Sequence, residues 1–418
     1  MNRGKIKINI DSLILLLIYL YAAFVFMFNA DSTKNHYIYL AATSLMAFLF
    51  LGIIKHTRVI KVCNEMIILA IYLAFGLTSS IWAVDSDMTF VMVRTVLILL
   101  ALTILLYNWN AKRLTPEVFI KAIIIGGTSE AVYFISLYGW NNVWDAINEG
   151  YRIGQLLNNE NAIGNSIAIT MVAIIGYGLC YKKTKSLFCL IPNIIVLLAT
   201  DSRTAFVSFL LGSSIVIFLY INHMTSSNNL QKISKMLMFI VVVIVAWNFL
   251  SDLPMFSGIT KRFEDMYKEI TGQETKATSV ETRMIYVSLG WRQFLTTPVL
   301  GNGFGCAGYV IKEKFGYITY LHNNFIEILA SGGTVGFLLF YGVYAFLMAK
   351  IIKKLKEKNP VVIISFALLC SELFSHMGCV NYYSKITYLL FALWFSVANN
   401  MYKKVNKSEE EKNFNCSM

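Results

Sequence analysis

Proline and charge are both scarce in this chain. Only 5 of its 418 residues are proline and only 14% are charged, too few of either for the turns and solvated faces of a soluble multidomain protein. Cysteine is sparse and scattered. Cys180, Cys189, Cys370 and Cys379 lie in or at the ends of apolar runs, Cys63 and Cys416 lie in basic flanks, and Cys306 stands alone in a long polar stretch. That pattern excludes a disulfide framework and a Cys/His metal site. No internal repeat or low-complexity segment is visible, apart from the charged tail KKVNKSEEEKN.

What is abundant is apolar sequence. Hydrophobic residues make up 57% of the chain and the mean hydropathy is +0.60. Apolar runs recur at the length of roughly 20 residues that a helix needs to cross the hydrocarbon core. They predict an all-α polytopic membrane protein with about twelve transmembrane helices, over 12–30, 37–54, 66–84, 88–108, 117–138, 161–180, 186–200, 203–221, 235–250, 323–349, 361–380 and 384–401. The first run follows the basic segment MNRGKIKIN and has no small-residue cleavage site, so it reads as an uncleaved anchor.

Basic residues set the expected orientation, because cytoplasmic loops hold the excess of Lys and Arg. With the N-terminus inside, 23 basic residues fall in cytoplasmic segments and 12 outside, with Arg94 within a span. The net charge of +12 is thus explained by membrane orientation and not by nucleic acid. Residues 1–250 are expected to hold nine helices and 251–322 one large extracytoplasmic loop. Residues 323–401 are expected to hold three more helices, and 402–418 to form a cytoplasmic tail, which leaves both termini on the cytoplasmic side of the membrane.

The long loop is not featureless. ITKRFEDMYKEI at 259–270 reads as an amphipathic surface helix, and TGQETKATS reads as a linker. Residues 281–295 read as a second helix with Met284, Val287, Trp291 and Leu295 on one apolar stripe, stopped by Thr297 and Pro298. LGNGFGCAG follows as a glycine-rich turn whose glycines would allow close backbone approach to a ligand. Without a preceding strand or a lysine it is no nucleotide loop.

Arginine is concentrated on the outer side. Five of the 12 outer basic residues are arginine (Arg152, Arg203, Arg262, Arg283 and Arg292), against 3 of the 23 inner ones. Lysine suffices to orient a helix, whereas the planar guanidinium fork suits bidentate capture of phosphate or carboxylate. Arg94 lies about six residues, or roughly 9 Å, inside its span. A charge there marks either a functional site or a partner such as Glu130, Asp85 or Asp87. Arg283 and Arg292 are nine residues apart, half a turn out of phase, so one helix cannot aim both at one pocket. His322 opens the tenth span at the outer boundary, where an imidazole can act as a general base toward a hydroxyl. Asn159 and Asn161 either shape a sugar site or cap a helix, and Asn323 lies beside His322.

Four local patterns occur in order: LTSSIWAVD at 77–85, LLNNENAIG at 156–164, DSRTAF at 201–206, and R…P-x-L-G-x-G-x-G…H-N-x-x-x-E-x-x-x-x-G-G between Glu281 and Gly336. With the span count and the large loop, they resemble the O-antigen ligase and polymerase superfamily. The resemblance implies a GT-C-like fold and a metal-independent, inverting membrane glycosyltransferase without cofactor. Its donor would be an undecaprenyl-pyrophosphate-linked oligosaccharide on the outer leaflet, with a chain-length regulator and a flippase as partner proteins. By match to the motifs, Arg203 and Arg283 would hold the pyrophosphate and His322 would act on the acceptor hydroxyl, with Arg94, Arg152, Arg292, Asn159, Asn161 and Asn323 as further binding residues. The polymerase branch is also marked by an arginine followed after ten residues by glycine. Arg292 with Gly303 fits this and Arg203 does not.

Polymerisation of repeat units in O-antigen or capsule synthesis is the preferred reading, and ligase-type transfer to another acceptor is the alternative. A flippase or other transporter is the rival from another class, with Glu130, Glu372 and His376 as its in-membrane polar residues. Transporters of that kind carry related halves and midplane sites, and neither is visible here.

Overall fold

The computed structural model describes residues 10–28, 32–56, 59–154, 159–224 and 278–403, with a few single helical positions between 231 and 267. The expected span 235–250 and most of the surface helix 259–270 and of the linker after it lie outside the described residues, as does the tail beyond 403. No strand occurs among the described residues.

The helices are α1 (Ile10–Phe28), α2 (Asn35–His56), α3 (Asn64–Thr78), α4 (Ser86–Arg113), α5 (Glu117–Tyr138), α6 (Trp140–Glu149), α7 (Glu160–Cys180), α8 (Leu190–Thr200) and α9 (Arg203–Leu219). After the long loop begins come α10 (Thr278–Thr296), α11 (Tyr309–Phe315), α12 (Asn324–Lys354), α13 (Pro360–Ser375) and α14 (Lys385–Ala398). Eight stretches of helix among the described residues are long and apolar enough to cross a membrane, and the segments 184–200, 360–375 and 385–398 are shorter apolar helices. The protein is thus a multi-pass helical membrane protein.

Packing follows from which faces are apolar all round and which are not. α7, α13 and α14 are almost wholly buried and form the middle of the bundle. α7 packs on α5, α8, α9 and α13, while α1 packs on α2 and α5, and α3 packs on α4 and α12. Helix ends are set locally. Asp85, Asn159, Asn323 and Asn359 each cap the helix that follows by accepting a backbone amide in its first turn, satisfying donors that the helix itself cannot.

The glycine-rich turn 301–308 does its packing against the chain itself. α12 is broken at Gly333, where φ is 59° and ψ is −161°, and the turn lies across the break. Asn302 N–H donates to the Ala330 carbonyl at 3.0 Å, Gly303 N–H to Ser331 at 3.0 Å, and Thr334 N–H to Pro298 at 2.8 Å. A β-carbon at Gly301 would lie 2.4 Å from the Ser331 carbonyl, and one at Gly333 would lie 2.4 Å from the Val299 carbonyl. The close approach expected of this turn is therefore made to another backbone segment.

The other side of the turn is held by the LTSSIWAVD segment. Phe304 N–H donates to Ser79 Oγ at 3.0 Å, Val84 N–H donates to the Asn302 carbonyl at 3.0 Å, and the Tyr309 hydroxyl donates to Asp85. That bond, followed by the Met88 amide, holds Asp85 below the usual carboxylate range, and the Tyr309 phenol is pushed up to about 12. Three stretches far apart in sequence are thus layered as 77–85, 301–309 and 330–335.

Gly301→Ala combines a left-handed φ of 67° with a backbone collision, so it should cost about 2–4 kcal/mol. A thermal-unfolding measurement on the detergent-purified variant should show this as a clear fall in melting temperature, whereas Gly316→Ala, with the same left-handed φ (83°) but open space around its β-carbon, should cost less by the collision.

Candidate functional site

α10 lies against the start of α12, and the contact is made by its less apolar side. Gly290 presses on Leu321 and Ile326, and Tyr286 is buried with Leu321, Val310 and Ile311. Met284, Trp291 and Leu295 are exposed. The apolar stripe of this helix therefore faces away from the protein core, and three of its members, Met284, Val287 and Trp291, line a cleft.

That cleft has a volume of about 490 Å3 and is lined by Arg283, Met284, Val287, Ser288, Trp291, His322, Ile326 and Met377. Arg283 and His322 are its ionisable groups. Arg292 is exposed and does not line it, as the half-turn offset between the two arginines requires. Among the described residues Arg283 makes no ion pair, and its charge acts on His322, Tyr320 and Cys379.

His322 is held in an unusual backbone conformation, with φ at 57°. Its ring lies 4.2 Å from Tyr320, centroid to centroid, and 6.1 Å from Tyr286 on a nearly parallel plane. Nδ1 is buried and has no hydrogen-bond partner among the described residues. Burial first, and the Arg283 guanidinium second, lower its pKa to about 4. The imidazole is neutral at neutral pH, so it can accept a proton or a hydrogen bond. Burial pushes the neighbouring Tyr320 phenol up to about 12.

Tyr320 ties this loop to α7, because Asn159 Nδ2 donates to its hydroxyl at 2.8 Å while Asn159 Oδ1 caps the helix by accepting from Ala162 N–H at 3.0 Å. Asn161 is buried and organises the tight turn before α9. Its Oδ1 accepts from Arg152 Nη2 at 3.0 Å and from Ser202 Oγ at 3.2 Å, and Arg152 Nε donates to the Thr200 carbonyl at 3.0 Å. Arg203 is the first residue of α9, and Thr204 beside it packs against Gly378, next to Met377 in the cleft wall. Asn323 is the cap of α12, accepting from Ile326 N–H at 3.1 Å.

Arg94 is not brought into this group. It is exposed on α4, and none of its expected partners meets it, since Glu130 accepts from Ser166 Oγ at 2.6 Å and Asp85 is engaged by Tyr309 and Met88. Glu372 and His376 do share a face, with Nε2 and Oε1 3.8 Å apart, but both are fully buried within the bundle. Glu372 accepts from Thr387 Oγ1 at 2.6 Å and Asn381 Nδ2 at 3.3 Å.

Residues 187–341, rather more than a third of the chain, match the family model described as O-antigen ligase. This match supports the O-antigen ligase/polymerase superfamily for that region of the chain. The matched region contains α8 to the first half of α12, and so Arg203, Arg283, His322 and the glycine-rich strap, whereas Arg152, Asn159 and Asn161 come from outside it. The superfamily assigns to this O-antigen ligase-like chain a membrane glycosyltransferase-type activity in surface polysaccharide assembly. No curated protein matches it.

Sequence reasoning passed over Tyr320, Tyr286 and Met377, which contact or line the cleft around His322. Tyr320, two residues before the histidine, was within reach of it, whereas the approach of Tyr286 and Met377 depends on helix packing that no local spacing encodes.

The low pKa of His322 can be checked by the pH dependence of its modification by diethyl pyrocarbonate, which attacks the neutral ring. Reactivity per residue, read by peptide mass spectrometry, should have its midpoint near pH 4. Removing the adjacent positive charge in Arg283→Ala should move the midpoint upward, toward the ordinary value of about 6.5, and Arg283→Lys should leave it low.

Proposed function

We propose that this O-antigen ligase/polymerase-type protein polymerises lipid-diphosphate-linked oligosaccharide repeat units on the outer face of the plasma membrane, by single displacement with inversion and without a divalent ion. The observation that carries the reading is an arginine with no carboxylate partner among the described residues, sharing one cleft with a neutral histidine. The first supplies a fixed positive charge and the second an open acceptor.

In this reading the acceptor hydroxyl oxygen attacks the anomeric carbon of the donor sugar, and the bond from that carbon to the diphosphate oxygen breaks with its electron pair leaving on the diphosphate. The hydroxyl proton passes to the His322 imidazole. A base with a pKa near 4 is too weak to strip an alcohol in advance. It acts late, when the attacking oxygen has become strongly acidic through bonding to an oxocarbenium-like carbon. The driving contribution falls on the leaving group, whose developing negative charge is met by Arg283 and, from the start of α9, Arg203. Preorganised guanidinium groups give such stabilisation without reorganisation cost at the moment of reaction, and their planar fork matches phosphate oxygens. The superfamily match across both arginines and the histidine supports the same assignment.

The test is surface polysaccharide size, by gel electrophoresis, in a deletion strain carrying the wild type, Arg203→Ala, Arg283→Ala, Arg292→Ala or His322→Ala at matched membrane levels. Arg203, Arg283 and His322 variants should leave single repeat units on the usual acceptor, a loss of at least about a hundred-fold in long chains, and Arg292→Ala should keep the ladder. Long chains retained on the lipid carrier would mean ligation, and unchanged ladders throughout would overturn the assignment.

A further inference from the structure

Glu327 lies one turn into α12, below the cleft and not in its lining, yet it holds the backbone of the residue before the histidine. Its Oε2 accepts the Leu321 N–H at 2.8 Å, and both residues are buried, with Glu327 4% and Leu321 0% exposed. The adjacent His322 has a left-handed φ of 57°, a conformation that histidine visits more often than most residues but that the surroundings must still impose. The surroundings are few. On the other side of the histidine, Asn324 N–H donates to the His376 carbonyl at 2.8 Å, and Asn324 Oδ1 accepts from Asn381 and Tyr382 N–H at 2.9 and 3.1 Å. Asn324 therefore fixes the chain after His322, while before it Asn159 holds the Tyr320 side chain and Glu327 holds the Leu321 backbone.

We infer that Glu327 is a positioning residue, whose carboxylate oxygen clamps the Leu321 amide and so holds the His322 ring between Tyr320 and Tyr286 in the orientation in which it meets its substrate. This rests on His322 acting on the acceptor hydroxyl, and Glu327 touches no reacting atom. A carboxylate is not required for the clamp. Any side-chain oxygen at that place accepts the same amide, which separates the inference from a role for the charge.

Three variants test it in reconstituted membranes given a lipid-diphosphate saccharide donor, with kcat, KM and the diethyl pyrocarbonate reactivity of His322 measured together. Glu327→Gln keeps an oxygen acceptor and should stay within a few-fold of wild type in every readout. Glu327→Leu removes the acceptor and should lower kcat by about a hundred-fold, the effect of a small misplacement of a reacting group, with KM little changed. The His322 modification rate in that variant should change while that of His36, far from the cleft, does not. Should Glu327→Leu fail to fold, Glu327→Asp, which withdraws the carboxylate by one methylene, should show the same fall in kcat with normal yield. A Gln variant as inactive as Leu, or a well-folded Leu or Asp variant with wild-type kcat and His322 reactivity, overturns the inference. Wild-type protein that transfers no sugar would instead overturn the functional reading, and the His322 modification rates would still decide whether Glu327 positions the ring.

Discussion

A guanidinium and an imidazole that share a small cleft repel one another whenever the imidazole is charged, and this repulsion adds to the burial of the ring in setting what the site can do. Burial of the ring and the charge of Arg283 act in the same direction, so His322 stays neutral far below neutral pH. A neutral ring leaves the cleft with one unopposed positive charge and one open acceptor. An anionic group is drawn to the first, and a hydroxyl can be served by the second. Had a carboxylate been placed beside Arg283, the cation would be neutralised and burial alone would hold the histidine below its ordinary range. The absence of such a partner among the described residues gives the cleft its character.

Holding that arrangement requires a rigid frame at a place where helices begin and end, and the frame is built from backbone. The glycine-rich strap lies across the break in α12 at a distance that admits no β-carbon at Gly301 or Gly333. Its other side is tied to Ser79, Val84 and Asp85. Since α12 begins immediately after His322, fixing its first turns also fixes the histidine loop. The turn before α9 is braced in the same manner by Arg152 and Asn161, which sets where Arg203 enters. Arg152 and Arg283 thus have distinct structural consequences, one bracing a turn and one standing in the cleft.

Much of the fold was legible because a hydrocarbon core leaves little choice, and long apolar runs become helices there. The starts of α5, α7, α9 and α12 fall within a residue of their expected positions, each at a polar or charged residue that opens the helix. The side of α10 that packs was not legible. At a membrane surface an apolar stripe can face protein or remain open, and composition does not distinguish the two, so Met284 and Trp291 line a cleft while Tyr286 and Gly290 make the contact. The strap was misjudged for a related reason, because a run of glycines states that something approaches closely without stating what. Arg94 shows the limit of depth as a guide. A charge inside a span suggests a buried partner, but a long side chain can stay on the exposed face and reach outward. The roles of Glu327 and Asn324 stood in the sequence as a spacing from His322, but the hydrogen bonds that give the spacing its meaning needed the backbone.

The central claim is that Arg283 and His322 form one site for a lipid-linked diphosphate. It is tested most directly by binding of a radiolabelled prenyl diphosphate to the purified full-length protein in chelator-containing buffer, comparing wild type, Arg283→Ala, Arg292→Ala and His322→Ala. Saturable binding that Arg283→Ala weakens by about ten-fold or more, and that Arg292→Ala and His322→Ala leave nearly intact, is the expected result. Binding of equal strength in the Arg283 and Arg292 variants would contradict it.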